Sequence, residues 1–238
     1  MKKLSFLVVF ALFLVGFTLN YTIDENRVWS HTVDPSKGRL HFFLNDNKGA
    51  HLGSLQRLKN HVESTGKQLN FAMNGGMYLA DRSPQGLYIE NGKLIKAMNK
   101  VQNAYGNFYL QPNGVFFLSK DHKATVVKST AFVMNDNINY ATQSGPMLVI
   151  DGDIHPKFTK GSTNLNIRNG VGILPDGKVL FAMSKAEINL YDFATYFQQK
   201  GCKNALYLDG FVSRTYLPSK GVTQLDGNFG VMIGEVEE

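Results

Sequence analysis

At 238 residues and 43% hydrophobic content, the chain is long enough to bury one sizeable core, and a single domain is the simplest organisation. Its formal charge of +6 includes Lys2 and Lys3; without them 23 basic residues face 19 acidic ones, with no basic block. That spread argues against nucleic-acid binding and suits an anionic substrate or an anionic cell surface.

The chain opens MKKLSFLVVFALFLVGFTLNY, two lysines and then an apolar run from Leu4 to Leu19. A basic start followed by an apolar stretch makes an export signal. The run is long for a signal core and shorter than a comfortable membrane span of roughly 20 residues. No small-x-small cleavage site precedes Tyr21. Residues 1–20 are therefore expected to be a signal peptide or an uncleaved membrane anchor held by residues 4–19. Either places a domain of residues 21–238 in the periplasm or outside the cell.

In HLGSLQRLKNHVESTGK, Leu52, Leu55, Leu58 and Val62 recur at helical spacing and Gly66 suits the C-terminal cap. The run LNFAMNGGMY follows, a strand that ends in Asn74-Gly75-Gly76. Four dipeptides then predict hairpins, because each supplies the positive φ a tight turn needs. They are Asn91-Gly92, Asn113-Gly114, Asp151-Gly152 and Asp176-Gly177, each between short apolar segments. A second helix is predicted in NLYDFATYFQQKG, where Leu190, Phe193, Ala194 and Phe197 form the buried stripe, Asn189 caps the start and Gly201 the end. Cys202, the single cysteine, cannot form an internal disulfide and reads as a small buried residue. The strand ALYL then delivers Asp209-Gly210, repeating the helix, strand and polar-glycine order of the first unit. The fold class is α+β: a single domain, mostly antiparallel sheet with hairpins, and two main helices packed on it.

The six histidines fall outside the glycine turns and away from zinc-helix spacing. No GxSxG elbow, P-loop or GxGxxG is present. Chemistry is left to carboxylates, an arginine and backbone amides. Asn74-Gly75-Gly76 can cradle an anion or simply make a tight turn. Ser144-Gly145 before Pro146 offers a hydroxyl, or strand punctuation. Arg168 ahead of a glycine-rich strand can grip a phosphate with two parallel hydrogen bonds, or lie on the surface. Asp209 with Ser213 is a strand-end acid or a fifth hairpin turn, the latter weakened because apolar Phe211 and Val212 follow the glycine.

Over Asn70 to roughly Gly234 the sequence resembles the phosphodiester glycosidase family, most densely in NGGMY, in SGPMLVIDG, and from RNGVGILPDGKVLFA through INLYDFATYF to NALYLDG. The family's Asn-Gly-Gly-aromatic turn is matched by Asn74, Gly75 and Gly76, with Met77 in the aromatic place and Tyr78 next. Its arginine is matched by Arg168 and its Asn-Leu before the helix by Asn189-Leu190. Its closing Leu-Asp-Gly-Gly-Gly-Ser is matched by Leu208, Asp209, Gly210 and Ser213, with Phe211 and Val212 replacing two glycines and narrowing any pocket there.

The resemblance implies an exported hydrolase that cleaves a sugar-phosphodiester in envelope or extracellular glycans. Asp209, Arg168, Asn74 and Ser213 would be catalytic; Gly75, Gly76, Tyr78, Ser144, Gly145, Asn189 and Gly210 would bind substrate. Arg168 and the amides near Gly75 and Gly76 would hold the phosphate, and Asp209 would act as general acid or base or ligate a divalent ion. Glu187 and Asp192 are the candidates for a second carboxylate. No residue is assigned to a metal. Two other readings remain: a non-catalytic exported glycan- or peptidoglycan-binding module, and a metal-dependent phosphodiesterase.

Overall fold

Asparagine or aspartate followed by glycine sets the first level of order. In the computed structural model, which describes residues 21–210 and 212–238, Asn91-Gly92 takes φ values of 51° and 74°, and Asp151-Gly152 takes 55° and 99°. Both join two-residue hairpins of the kind that needs two left-handed residues. The expected signal or anchor at 1–20 and the effect of Phe211 lie outside the described residues.

In chain order the strands are β1 (Val28–Val33), β2 (Leu40–Phe43), β3 (Gln68–Asn74), β4 (Tyr88–Glu90), β5 (Lys93–Lys96) and β6 (Gly114–Ser119). Next come β7 (Ala124–Lys128), β8 (Ile138–Ser144), β9 (Met147–Ile150), β10 (Asp153–Ile154) and β11 (Asn169–Ile173). The last five are β12 (Val179–Ser184), β13 (Ala205–Asp209), β14 (Thr215–Leu217), β15 (Val222–Thr223) and β16 (Met232–Glu237). They form three antiparallel sheets, ordered β1-β12-β11-β13-β9-β10, β15-β14-β3-β16-β2 and β5-β4-β8-β6-β7. One core joins all three. Phe42 of the second sheet packs on Phe116 of the third at 5.4 Å, Phe116 on Phe181 of the first at 6.0 Å, and Phe181 back on Phe71 at 5.0 Å.

The helices α1 (Leu55–Ser64) and α2 (Leu190–Gln199) cover outer faces. Ser54 and Asn189 cap them, accepting from the amides of Arg57 and Asp192. Helix α1 buries Leu55, Leu58 and Val62 against the second sheet, and Leu52 packs there from ahead of the cap. Helix α2 buries Phe193, Ala194 and Phe197 on the first sheet. The α+β class, single domain and two-helix arrangement expected from sequence are present.

Three of the four predicted hairpins form: β4–β5, β9–β10 and β11–β12. Asn113-Gly114 does not make one. The residues before it lie in a short 3-10 turn, Asn107–Tyr109, and Gly114 opens β6. A Cβ at Gly114 would stand 2.5 Å from Met147 Sδ, so glycine serves close sheet packing at this position.

Cys202 is buried beside Gly172, and burial pushes its thiol pKa up to about 12. At neutral pH the native chain should therefore react with iodoacetamide only at the rate of global unfolding. Mass spectrometry with and without denaturant measures this, and fast labelling of folded protein would contradict the buried assignment.

Candidate functional site

The strand ending at Asp209 is not half of a hairpin. Strand β13 belongs to the first sheet and the next strand, β14, to the second, so Asp209 stands where the chain crosses between them. Ser213 stabilises the crossing: its hydroxyl donates to the carbonyl of Asp209 at 2.8 Å.

Asn169 ties this crossing to the rest of the site. Its register partner in the sheet is Asp209, and its Oδ1 accepts the Asp209 amide at 2.8 Å. Its Nδ2 donates to the Asn74 carbonyl at 2.9 Å and to Asn74 Oδ1 at 3.0 Å. Asn74 Oδ1 also accepts the Arg214 amide at 3.0 Å. A single carboxamide thus joins the ends of β3 and β13 across two sheets. Asn74 is fully buried, and its Nδ2 has no hydrogen-bond partner among the described residues. An unmet buried donor costs on the order of 1–3 kcal/mol, and a site that binds a ligand gives such a group a purpose.

Arg168 lies inside, fully buried. Its Nε donates to the Ile188 carbonyl at 2.7 Å, Nη1 to the Tyr207 hydroxyl at 3.1 Å, and Nη2 to the carbonyl and Oδ1 of Asn164 at 2.9 and 3.2 Å. This guanidinium grips its own chain. Arg168 is placed to orient Tyr207, whose ring it also faces at 5.5 Å. Burial pushes the Tyr207 hydroxyl up to about 12; Asp209 adds to the rise and Arg168 opposes it. Arg168 directly precedes Asn169, whose register partner is Asp209, so the two residues lie at the same end of β11 and β13.

The glycines have packing duties. A Cβ at Gly210 would stand 1.3 Å from the Tyr207 hydroxyl, at Gly75 2.5 Å from Ile233 Cγ1, and at Gly76 2.6 Å from Thr142 Oγ1. The Gly75 amide already donates to the Val231 carbonyl at 2.8 Å, so it is not open to an anion. Gly210→Ala should displace Tyr207 and destabilise the fold by about 1–3 kcal/mol, the usual cost of overpacking. Denaturant unfolding reads this, and unchanged stability would show that Tyr207 does not occupy that space.

Of the other sequence candidates, Ser144 donates to the Leu208 carbonyl at 2.6 Å and so braces β8 against β13, while Gly145 packs on Asn113 ahead of β6. Asn189 is spent on the α2 cap. Tyr78 is half-buried, and its hydroxyl pKa is raised by burial first and by the Asp209 charge second, which sets its phenol near the acid. Asp192 accepts from the Tyr21 hydroxyl at 2.9 Å, and Glu187 is exposed. Among the described residues no three His, Cys, Asp or Glu side chains gather as a metal would require.

Three residues escaped sequence reasoning. Asn169 and Tyr207 sat inside motifs read for their neighbours. Arg214, next to Ser213, keeps 39% of its side chain exposed while its Nε donates to both oxygens of Asp226 at 2.9 and 3.0 Å. It is an accessible cation beside Asn74, whose Oδ1 accepts its amide. A cleft of about 570 Å3 lies on the third sheet and is lined by none of these residues.

Comparison with known proteins bears on the family. The model of the family described as phosphodiester glycosidase matches residues 67–230. The chain is 39% identical over 191 residues to the uncharacterized protein YigE of Escherichia coli (strain K12), covering 80% of this chain and 74% of that one. Its fold is similar to the zebrafish N-acetylglucosamine-1-phosphodiester alpha-N-acetylglucosaminidase catalytic domain auto-inhibited by its pro-peptide, with TM-score 0.60, 16% identity, and 89% and 82% of the two chains covered. A Burkholderia pseudomallei K96243 protein, described only as a candidate for export, matches with TM-score 0.59, 13% identity, and 87% and 73% covered. With more than half its length matched by the family model, this chain belongs to the phosphodiester glycosidase family.

Proposed function

We propose that the protein is an exported hydrolase that breaks the bond between a sugar and a phosphodiester in envelope or extracellular glycans. The observation that carries this reading is the Asn74–Asn169–Asp209 linkage, which presents one carboxylate and an unmet amide donor at a seam between sheets. A phosphomonoester leaves as a stable anion, with a second pKa near 6, so its departure needs little protonation. The carboxylate is then more useful to the incoming water than to the leaving group. Asp209 acts as general base toward water at the anomeric carbon. Asn74 Nδ2 donates to an oxygen of the bound substrate, and Tyr78 lines the approach. Arg214, partly released from Asp226, meets the phosphate. Arg168 holds Tyr207, and Tyr207 packs against Gly210 to fix the acid's turn.

Export, with or without attachment through residues 4–19, is part of the proposal. Among the described residues no helix is long and apolar enough to cross a membrane.

The test is product analysis on a panel of sugar-1-phosphodiesters in water labelled with oxygen-18. The expected products are a free sugar carrying the label and an unlabelled phosphomonoester. Label in the phosphate would indicate P–O cleavage and a phosphodiesterase. Retention of glycans without turnover would favour the binding-module reading.

A further inference from the structure

Six of the nine large apolar side chains exposed among the described residues lie on two neighbouring segments of the third sheet. Leu94, Ile95, Val101 and Tyr105 come from β5 and the loop after it; Val133 and Met134 come from the loop after β7. Tyr105 is fully exposed, Val133 is 73% exposed and Val101 53%. Leu94, Val101 and Met134 reach into the cleft of about 570 Å3, whose walls continue with Leu87, Met98 and Phe132. Several polar groups in that cleft are already paired. Asn113 Nδ2 donates to the Phe108 carbonyl, Ser129 donates to Asn113 Oδ1, and Asn99 exchanges hydrogen bonds with Gln143. What the cleft offers a visitor is apolar wall.

The charges around it are mostly basic, with Asp136 an acid close in sequence, two residues beyond Met134. Lys93, Lys96 and Lys100 stand on the same segment, and Lys100 lines the cleft. Between Glu90 and Asp121 the sequence has no acidic residue. An apolar patch of this kind marks a docking surface. A second copy of the chain is a poor occupant: β5 is an edge strand with a lysine at each end, and pairing two such edges would oppose like charges. Apolar tips set among lysines match a lipid surface instead, where chains sink into the acyl region and ammonium groups meet anionic headgroups.

We propose that this face, made by residues 93–105 and 132–134, docks onto a membrane of anionic phospholipid, with Val101, Tyr105, Val133 and Met134 entering the lipid and the cleft taking an acyl chain. The surface is separate from the Asp209 seam, and the inference stands whether or not the hydrolase reading holds.

The full chain carrying Tyr105→Trp in a Trp29→Phe background provides a single indole at the patch, since Trp29 is the one native tryptophan. With phosphatidylglycerol vesicles the indole emission should shift to the blue and be quenched by lipids brominated in the acyl chain. Phosphatidylcholine vesicles should give little of either change. Replacing Lys93, Lys96 and Lys100 together by glutamine should weaken partitioning about a hundredfold, as expected for roughly 1 kcal/mol per lysine, and Val101→Ser with Val133→Ser should abolish the quenching. Three outcomes would overturn the proposal. One is absence of binding to anionic vesicles. Another is binding with the indole left in water, which would assign attachment to residues 4–19 or another face. The third is indole burial without lipid that grows with protein concentration, which would make the patch a contact between copies.

Discussion

Asp209→Asn should lower turnover of a cleavable sugar phosphodiester by about 10²–10⁴-fold, the usual contribution of a positioned general base, while leaving the melting temperature close to that of the wild type. The substitution keeps the shape of the side chain and removes its charge. Two contacts that place the residue are made by its backbone, the amide to Asn169 Oδ1 and the carbonyl from Ser213, and both survive the change. The loss should fall in kcat, with KM little altered, because a base acts on water and not on the ground-state sugar phosphate. Initial rates at saturating substrate together with calorimetry measure both halves. Near-wild-type kcat in folded Asp209→Asn would remove the acid from the mechanism.

Arg168→Ala should act first on stability. It removes a fully buried guanidinium and strands the Ile188 carbonyl, the Tyr207 hydroxyl and Asn164. Unpaired partners and the cavity together cost about 3–5 kcal/mol. For a chain of this size each kcal/mol lowers the melting temperature by about 2–4 °C, so a fall of about 10 °C is expected. Arg168→Lys keeps the charge but has no planar fork, and it cannot serve three directions at once; it should recover only part of the loss. Urea titration of both variants is the measurement. Wild-type stability in Arg168→Ala would mean the guanidinium is not held as described. Turnover then separates the roles: at a temperature where Arg168→Ala is folded, activity should fall with the displacement of Tyr207, and KM for the phosphate should move less than in Arg214→Gln.

Much of the framework was legible in the sequence because its signals are local. The cap at Asn189, the α2 stripe and the left-handed turns at 91–92 and 151–152 each depend on residues a few positions apart. The Asn113-Gly114 expectation failed because the same glycine that permits a turn also permits close approach, and Met147 decides which. The site was legible only in outline. Asn169 meets Asn74 across 95 positions and Arg168 meets Tyr207 across 39, so neither spacing nor periodicity could show that the asparagine is the hub or that the arginine faces inward. An arginine before a glycine-rich strand is written the same way for phosphate as for a backbone carbonyl. Asp209 itself was found because apolar residues lead up to it and follow its glycine, which fits a strand leaving one sheet for another better than a surface turn.

The crossing at Asp209 also governs when this protein can work. Its acid acquires a fixed address only after segments distant in the chain have been brought face to face and the two sheets have closed on their shared phenylalanines. On the proposed function, a half-folded chain would therefore carry no hydrolytic hazard.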